Sequence, residues 1–308
     1  MSVLIVGSVA LDTVKTPFGK HANILGGSAI HASVAASFFS QVNLVGVVGQ
    51  DFPAEHIDFL QRKGIDTSGL QVKEGKTFHW EGYYEYDMNQ AHTVDTQLNV
   101  FADFDPQIPA NLKDSEFVFL ANIDPELQIR VLEQINQPRL TVLDTMNFWI
   151  ETKKEKLLQA IKLVDIVVLN DAEARQLMGT PNLVVAAKKL LKLGVGKVII
   201  KKGEHGSLLF ENSDYFVAPA YPLEQVIDPT GAGDSFAGGL VGYLAKTGDL
   251  SHPNLRKAVV LGSVMASYNV EDFSLNRTKK LTDKEIFHRF SEFKRIAEFE
   301  AVELEKVL

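Results

Sequence analysis

Three short apolar runs decide the fold: Leu140-Thr-Val-Leu143, Ile166-Val-Val-Leu169 and Val198-Ile-Ile200. Runs of this length that are apolar almost throughout are typical of strands buried on both faces of a sheet. The segments between them, Lys153–Leu163 and Leu183–Leu193, carry apolar residues at helical spacing. This alternation predicts βαβ units, in which parallel strands form a sheet and helices cover both of its faces.

The same rhythm extends over most of the chain. The other predicted strands are Val3–Val6, Val42–Val48 and Phe117–Leu120, and the other predicted helices are Ser28–Phe39, Ala54–Arg62, Glu126–Asn136, Ala232–Ala245, Asn254–Asn269 and a terminal segment from Thr282. Thr282 and Glu285 have the spacing of a helical capping box. We find no internal repeat and no linker, so we expect one α/β domain over residues 1–308.

One aromatic stretch breaks this alternation: Thr77-Phe-His-Trp-Glu-Gly-Tyr-Tyr-Glu-Tyr86. Together with Ala91–Phe101 it has the pattern of an antiparallel hairpin. We interpret residues 72–102 as a small β lid, to which residues 13–24 can contribute. The rings that such a hairpin would display are those of His79, Trp80, Tyr83, Tyr84 and Tyr86. They would either stack on a base or a sugar, or form a contact between two subunits.

Composition narrows the classes of partner. The 308 residues carry a formal net charge of −8 and no long run of Lys and Arg, which argues against nucleic acid and anionic membranes as partners. The chain has no cysteine, and its eight His residues lack paired ligand spacing, so a zinc site is not expected. The chain begins directly in a predicted strand, without the features of a signal peptide, and we therefore expect a cytoplasmic protein.

The sharpest local signal is the segment Asp228-Pro-Thr-Gly-Ala-Gly-Asp234-Ser-Phe-Ala-Gly-Gly239, in which small residues precede an amphipathic helix. Glycines let backbone N–H groups approach an anion, and the helix N-terminus adds partial positive charge. We expect the same N–H groups to keep Asp234 ionised, so that it can accept a hydroxyl proton. An anion hole beside a base suits phosphoryl transfer. The alternative is a structural turn with Asp234 as a helix N-cap.

Two motifs make the chain resemble the ribokinase-like (PfkB) family of carbohydrate kinases over nearly its whole length. They are Gly26-Gly-Ser-Ala-Ile-His-Ala-Ser-Val-Ala-Ala36 and the Asp228–Asp234 run, and they occur in the family's order. The resemblance implies a three-layer α/β/α sandwich with a mostly parallel sheet and a small β lid. It also implies ATP as phosphoryl donor, Mg²⁺, and in many members an activating monovalent cation such as K⁺.

The resemblance also implies roles for the residues that match the motifs. Asp234 would be the catalytic base, and the backbone of Gly231, Ala232 and Gly233 would form the anion hole. Thr230 and Asp228 would contribute oxygen atoms to a monovalent cation site. Two further segments match the family. Asn170 and Glu173 would organise Mg²⁺ through water. The residues that would contact the nucleotide are Asn170, Lys201, Gly203 and Gly206.

Simpler explanations exist for two of these segments. Asn170 and Glu173 can equally be an N-cap and a first-turn acid of a helix. The segment Lys201–Gly206 can equally be a simple turn between two strands.

On the substrate side, Asp12 stands where the family has an acid that binds sugar hydroxyls. Gly26 and Gly27 would either bring the backbone close to the sugar or form the turn into the helix Ser28–Phe39. A carboxylate can accept two hydroxyl hydrogen bonds, although Asp12 can also be an ordinary turn residue. His31 stands where the family commonly has Asn, and Ala10 stands where ribokinases have a polar residue. The recognised hydroxyl pattern must therefore differ from that of ribose in those enzymes. His31 would either bind a substrate hydroxyl or be a packed histidine.

These observations predict an ATP-dependent kinase that phosphorylates a hydroxyl group, the CH2OH of a small sugar, with Asp234 as general base. The alternative enzymatic function is that of a nucleoside kinase, because the lid is rich in aromatic residues. The alternative among proteins without enzymatic activity is a sensor of sugars or nucleotides. The intact Asp234 argues against a sensor. A homodimer formed through the lid is a further expectation.

Overall fold

The computed structural model describes residues 1–212 and 214–298. A large sheet contains nine of its strands: β1 Ser2–Val6, β4 Gln41–Gly49, β5 Ile65–Lys73, β8 Phe117–Leu120, β9 Leu140–Asp144, β10 Ile166–Asn170, β11 Lys197–Lys201, β12 Ser207–Glu211 and β13 Asp214–Ala218. Their order is β13-β12-β11-β10-β9-β8-β1-β4-β5. The strands from β11 to β5 in this order are parallel, and β12 and β13 extend the sheet antiparallel. The predicted parallel sheet is confirmed.

Helices cover both faces of the large sheet. They are α1 Ser28–Ala36, α2 Ala54–Arg62, α3 Pro125–Leu132, α4 Asn147–Thr152, α5 Lys154–Ile161, α6 Asp171–Met178, α7 Leu183–Leu191, α8 Ala232–Thr247, α9 His252–Asn269, α10 Asn276–Lys280 and α11 Asp283–Ala297. Alternate residues of β1 point into two separate cores. Val3 and Ile5 pack with α1, α8 and α9, whereas Leu4 and Val6 pack with α3, α5 and α7. The result is the expected three-layer sandwich.

A second, small sheet lies beside the first. It consists of β2 Ala10–Thr16, β3 Gly19–Gly26, β6 His79–Tyr84 and β7 Ala91–Gln97, in the order β3-β2-β6-β7. The hairpin predicted from the aromatic stretch corresponds to β6 and β7, and its partner β2 joins it by parallel pairing. Residues 72 and 73, which we had placed in the lid, belong to β5 of the large sheet. The β2–β3 hairpin supplies two of the four strands of the small sheet, and the β6–β7 hairpin supplies the other two.

Several element boundaries differ from the predicted ones for local reasons. The predicted helix from Glu126 begins with Pro125 and ends at Leu132, and Asp124 caps it by accepting the N–H of Glu126. The capping box of Thr282 and Glu285 is present at the start of α11. The rest of the predicted terminal segment, beyond residue 298, lies outside the described residues. No helix in the described part of the chain is long and apolar enough to span a membrane.

Candidate active site

Residues 228–234, here called the anion loop, lead into α8. Gly231 precedes the helix in a left-handed conformation, with φ of 75°. A Cβ atom at Gly231 would overlap the ring of His31 from α1, so only glycine fits both the conformation and the space. Gly233 lies in the first turn, where a Cβ atom would be 2.7 Å from the Nζ atom of Lys201. The backbone N–H groups at this helix start therefore lie beside a lysine ammonium group.

Each polar group of Thr230 in the anion loop has a partner. Its N–H donates to Asp228 Oδ1 at 2.9 Å, and its carbonyl accepts from Asn269 Nδ2 at 2.7 Å. Its hydroxyl lies 3.4 Å from the Tyr84 hydroxyl of β6. The other carboxylate oxygen of Asp228 accepts the Ser274 N–H at 3.0 Å. Since both Asp228 oxygens bind backbone N–H groups, this carboxylate holds the loop, and its predicted role in a K⁺ site stays a prediction.

Asp234 lies in the first turn of α8 and is partly buried. Burial and the carboxylate of Asp144 raise its pKa and Lys201 acts in the opposite direction, so that the pKa of Asp234 is about 7. The expectation that the N–H groups would favour the ionised form of this carboxylate was wrong in the direction of the net pKa shift. One backbone N–H, that of Asp234 itself, favours the charged form. Burial and the carboxylate of Asp144 outweigh it. Asp234 thus titrates close to neutral pH, in the range suited to a proton acceptor.

Lys201 links the anion loop to the large sheet. It is the last residue of β11, and its Nζ atom binds Asp144 Oδ2 at the end of β9 at a distance of 2.9 Å. Both side chains are buried, with 16% and 4% exposure. Burial alone would lower the pKa of Lys201, but the neighbouring carboxylates Asp144 and Glu173 raise it. Lys201 therefore stays charged next to the anion loop. Its ammonium group lies closer to the proposed phosphoryl-transfer site than the sequence prediction of a nucleotide-contacting loop implies.

Asn170 and Glu173 form a capping box at the start of α6. The Asn170 N–H and side-chain amide donate to the two Glu173 carboxylate oxygens at 2.7 Å each, and Asn170 Oδ1 accepts the Glu173 N–H. Burial raises the pKa of Glu173 to about 8. Within the described ranges, no group of three or more His, Asp or Glu residues could hold a metal ion. Both carboxylate oxygens of Glu173 accept from Asn170, and the predicted role of the pair near Mg²⁺ stays a prediction.

The predicted nucleotide loop follows β11. Gly203 and Gly206 both have positive φ, 53° and 80°, and a Cβ atom at Gly206 would overlap the carbonyl of Ala218. These glycines let the chain turn tightly between β11 and β12. A Cβ atom at Gly203 would lie 3.9 Å from Asn89 Oδ1, in the turn between β6 and β7. The tip of the small sheet thus reaches the loop.

Asp12 lies on β2 of the small sheet, directly over Gly26 of β3, where a Cβ atom would overlap its carboxylate. Gly27 has φ of 98° and begins α1. Asp12 is 5% exposed, and its Oδ1 atom has no hydrogen-bond partner among the described residues. Burial and the nearby Asp228 raise its pKa to about 7, while the N–H groups of Gly27 and Trp80 act in the opposite direction. A buried acceptor without a donor is the feature expected of a hydroxyl-binding site.

His31 is buried between α1 and the anion loop. Its Nδ1 atom is 2.9 Å from Asn269 Oδ1, the same amide group whose Nδ2 holds the carbonyl of Thr230. Burial lowers the pKa of His31, so the ring is neutral near pH 7. Because Asn269 Oδ1 can only accept, His31 donates from Nδ1. These contacts favour the packed histidine over the substrate-binding one.

The small sheet has one face toward these groups, here called the inner face. Tyr84 contacts Thr230 from it, and since side chains alternate along a strand, Trp80 and Gly82 lie on the same face. The Trp80 ring lies across Gly82, where a Cβ atom would overlap it, and Trp80 Nε1 donates to Thr93 Oγ1 at 3.1 Å. Tyr83 points to the opposite face and stacks on His92. Thus two of the five predicted rings lie on the inner face of β6.

Sequence reasoning missed three contacts within the site. Tyr84, Asn269 and Ser274 hold the anion loop, yet each comes from an element distant in the sequence. The positive φ of Ser274, 53°, would not be visible without the structure. Asp144, at the end of β9, also belongs to the site through its ion pair with Lys201. Asp124, which follows β8, lies outside this group: it caps α3 and pairs with Lys153 at 2.6 Å.

Comparisons with known proteins agree with this geometry. Residues 10–280 match the model of the pfkB family of carbohydrate kinases. A cytidine kinase of Thermococcus kodakarensis is 32% identical over 249 residues, which are 79% of this chain and 88% of that protein. An inositol 3-kinase of Arabidopsis thaliana is 28% identical over 296 residues, or 92% of this chain and 79% of that protein.

A solved structure shares the fold. The crystal structure of the Methanocaldococcus jannaschii nucleoside kinase, an archaeal member of the ribokinase family, superposes with a TM-score of 0.76 at 22% identity. It covers 94% of this chain and 98% of the other. The chain therefore belongs to the pfkB family of carbohydrate kinases, a sugar or nucleoside kinase that transfers a phosphoryl group to an alcohol.

Proposed function

We propose that this kinase transfers the γ-phosphoryl group of ATP to the CH2OH group of a nucleoside. Asp234 accepts the proton of the attacking hydroxyl, and its pKa near 7 suits that task. The oxygen of that hydroxyl then forms a bond to the γ-phosphorus as the bond to ADP breaks. The backbone N–H groups of Gly231 and Gly233 stabilise the negative charge on the transferring group, with Lys201 beside them, whereas the Ala232 N–H donates to the Pro229 carbonyl at 3.1 Å.

The unpartnered Oδ1 atom of Asp12 supports a ligand with hydroxyl groups. Leaving a buried carboxylate oxygen without a donor is costly, and a ribose hydroxyl would supply one. Gly26 and Gly27 leave room beside this carboxylate. A side chain at Gly26 would collide with Asp12, and a side chain at Gly27 would collide with the Ser8 carbonyl. These features suit a sugar and the ribose of a nucleoside equally.

The position of Trp80 is the observation that favours a nucleoside. The Cζ2 and Cη2 atoms of its ring lie over Gly82 on the inner face of the small sheet, and the hydrogen bond to Thr93 holds the ring there. A fixed indole face next to a hydroxyl-binding carboxylate offers a stacking surface for a nucleobase. From the sequence alone we preferred a simple sugar, and Trp80 reverses that order. The similarity to a cytidine kinase points the same way.

The nucleotide and its metal would lie on the other side of Asp234. We place the phosphates between the start of α8 and Lys201, and the adenosine along the Gly203–Gly206 loop. Asn170 and Glu173 would face a Mg²⁺ ion through water molecules. When bound, that ion would neutralise phosphate charge during transfer.

The experiment is an ADP-release assay with ATP, Mg²⁺ and K⁺ against cytidine, adenosine, inosine, ribose, fructose and inositol. We expect turnover with at least one nucleoside and little with the free sugars. Turnover with a sugar or inositol alone would reject the nucleoside and keep the kinase. No turnover with any acceptor, although ATP binds, would reject the proposed function.

Two variants test the role of Trp80 itself. Gly82→Ala displaces the ring while keeping the indole, and Trp80→Ala removes it. Both should raise KM for the nucleoside, by about tenfold for the loss of one stacking contact, and leave KM for ATP unchanged. Tyr83→Ala is the matched control, because its ring stacks on His92 on the opposite face. An unchanged nucleoside KM in both variants would contradict the stacking role.

A further inference from the structure

A cavity of about 230 Å³ opens at the surface between α2 and α10. Its lining residues are Glu55, His56, Phe59 and Arg62 of α2 and Lys279 of α10. These residues are distinct from those of the candidate active site. The cavity is smaller than the ~300 to 1,000 Å³ of sites for drug-sized ligands, so it suits a compact molecule.

Two ammonium groups at this cavity lie over aromatic rings. Lys279 Nζ is 5.1 Å from the centre of the Phe59 ring, and Lys63 Nζ is 4.5 Å from the centre of the Phe38 ring. Lys63 directly follows α2, and its Nζ atom also donates to the Thr278 carbonyl of α10 at 3.4 Å. Cations held against rings lose part of their hydration and keep their charge. Both helices thus present a positive charge where they meet.

The cations around the cavity lack a close counter-charge. In the described part of the chain, neither Lys63, Lys279 nor Arg62 forms an ion pair. Burial lowers the pKa of both lysines more than the carboxylates of Asp283, near Lys63, and Glu55, near Lys279, raise it. An anion bound in the cavity would supply the missing charge.

The cavity is polar at both ends of α2 and aromatic between them. Glu55 lies in the first turn of the helix and Arg62 in the last, roughly 10 Å apart along its axis, with Phe59 between them. Burial and the nearby Lys279 lower the pKa of His56, so its ring is neutral near pH 7. A guanidinium group binds phosphate through two parallel hydrogen bonds, and a carboxylate accepts from sugar hydroxyls. The lining therefore matches a molecule with a phosphate at one end and hydroxyl groups at the other.

We propose that this cavity binds a small phosphate monoester whose body is the size of a sugar. The phosphate lies between Arg62 and Lys279, which balance its two negative charges, and hydroxyl groups of the body face Glu55 across the Phe59 ring. The cavity is too small to enclose a nucleotide, and a free sugar would leave the cations without a counter-charge. This site goes beyond the proposed kinase activity and does not depend on it.

Isothermal titration calorimetry with ribose 5-phosphate, inorganic phosphate and ribose tests the site. We expect ribose 5-phosphate to bind more tightly than inorganic phosphate, and ribose not to bind. Lys279→Glu and Arg62→Glu should each weaken binding of ribose 5-phosphate by about tenfold or more, because each removes a charged hydrogen bond and adds a like charge. Lys188→Glu is the matched control, because it makes the same charge change on α7, which packs on the opposite face of the large sheet. That variant should bind like the wild type.

The anion loop is also expected to attract phosphate, so a further variant locates the binding. Lys201→Ala removes the ammonium group beside that loop and should leave binding of ribose 5-phosphate unchanged. Saturating ATP should likewise not displace ribose 5-phosphate from the wild type. Wild-type melting temperatures of Lys279→Glu and Arg62→Glu would exclude unfolding as the reason for their weaker binding.

Three results would overturn the proposal. Binding that is lost in Lys201→Ala but kept in Lys279→Glu and Arg62→Glu would assign the ligand to the anion loop. The absence of binding at millimolar concentrations of ribose 5-phosphate would reject the site. Inorganic phosphate or ribose that binds as tightly as ribose 5-phosphate would reject the assignment to a monoester.

Discussion

Gly231 and the ring of His31 lie in direct contact, although 200 residues of chain separate them. The contact joins the start of α8 to α1, and the amide of Asn269 bonds both His31 and the carbonyl of Thr230. The shape of the anion loop is thus set by packing from α1 and α9 as well as by its own glycines.

Gly231→Ala should abolish most activity. The added methyl group meets the His31 ring, and the residue has a φ of 75°, so the loop must shift. A displacement of this kind at a reacting centre costs roughly a hundredfold or more in turnover. Steady-state kinetics would measure it. Gly64→Ala is the matched control, because Gly64 has a φ of 76° but no heavy atom within 4 Å of its would-be Cβ. That variant should lose some stability and keep its turnover.

His31→Ala should lower kcat and leave KM for the acceptor nearly unchanged. The ring donates to Asn269 and supports Gly231, so its loss would disturb the anion hole and not the acceptor site. Separate determination of kcat and KM decides the matter. A large rise in KM at constant kcat would instead assign His31 to the substrate hydroxyl, the other role that the sequence allowed.

The pH profile should report two carboxylates. Asp12 and Asp234 both have a pKa raised to about 7, and the proposed mechanism needs both ionised. The ratio kcat/KM should therefore rise with pH through 7, and the slope of its logarithm on the acid side should approach 2. Asp12→Asn, although slower, should reduce that slope toward 1. A profile that is flat between pH 5 and 8 would contradict these assignments.

Asp234→Asn should be more stable than the wild type at pH 8. The pKa of Asp234 is higher in the folded protein than its ordinary value of 3.8, so the folded state prefers the protonated form. This stabilisation is fully present below pH 4 and is lost as the pH rises through about 7. The difference in melting temperature between variant and wild type should therefore be positive at pH 8 and shrink toward pH 5. An equal difference at both pH values would exclude a raised pKa.

Strands buried on both faces were the best-predicted elements. The run Ile166–Leu169 is apolar at every position because helices cover both faces of the sheet, and that demand is visible locally. In contrast, β5 at the edge of the sheet contains Asp66, Thr67 and Ser68, and we did not predict it. Edge strands need burial on fewer sides, so their sequences carry a weaker signal.

The site was predictable where backbone shape restricts the sequence and not where distant side chains meet. The glycines of the anion loop are required locally by positive φ and close packing. The contact of Tyr84 with Thr230 spans 146 residues and leaves no local pattern. Similarly, the pKa of Asp234 depends on Asp144, which β9 brings to the site. Its direction could not be inferred from the motif alone.

The most direct test of the central claim is the turnover of Asp234→Asn with the acceptor that supports wild-type activity. The substitution keeps the shape of the side chain and removes its ability to accept a proton. We predict that acceptor-dependent ADP release falls by several orders of magnitude while ATP still binds with nearly the wild-type affinity. Turnover within a few fold of the wild type would contradict the assignment of Asp234 as the base.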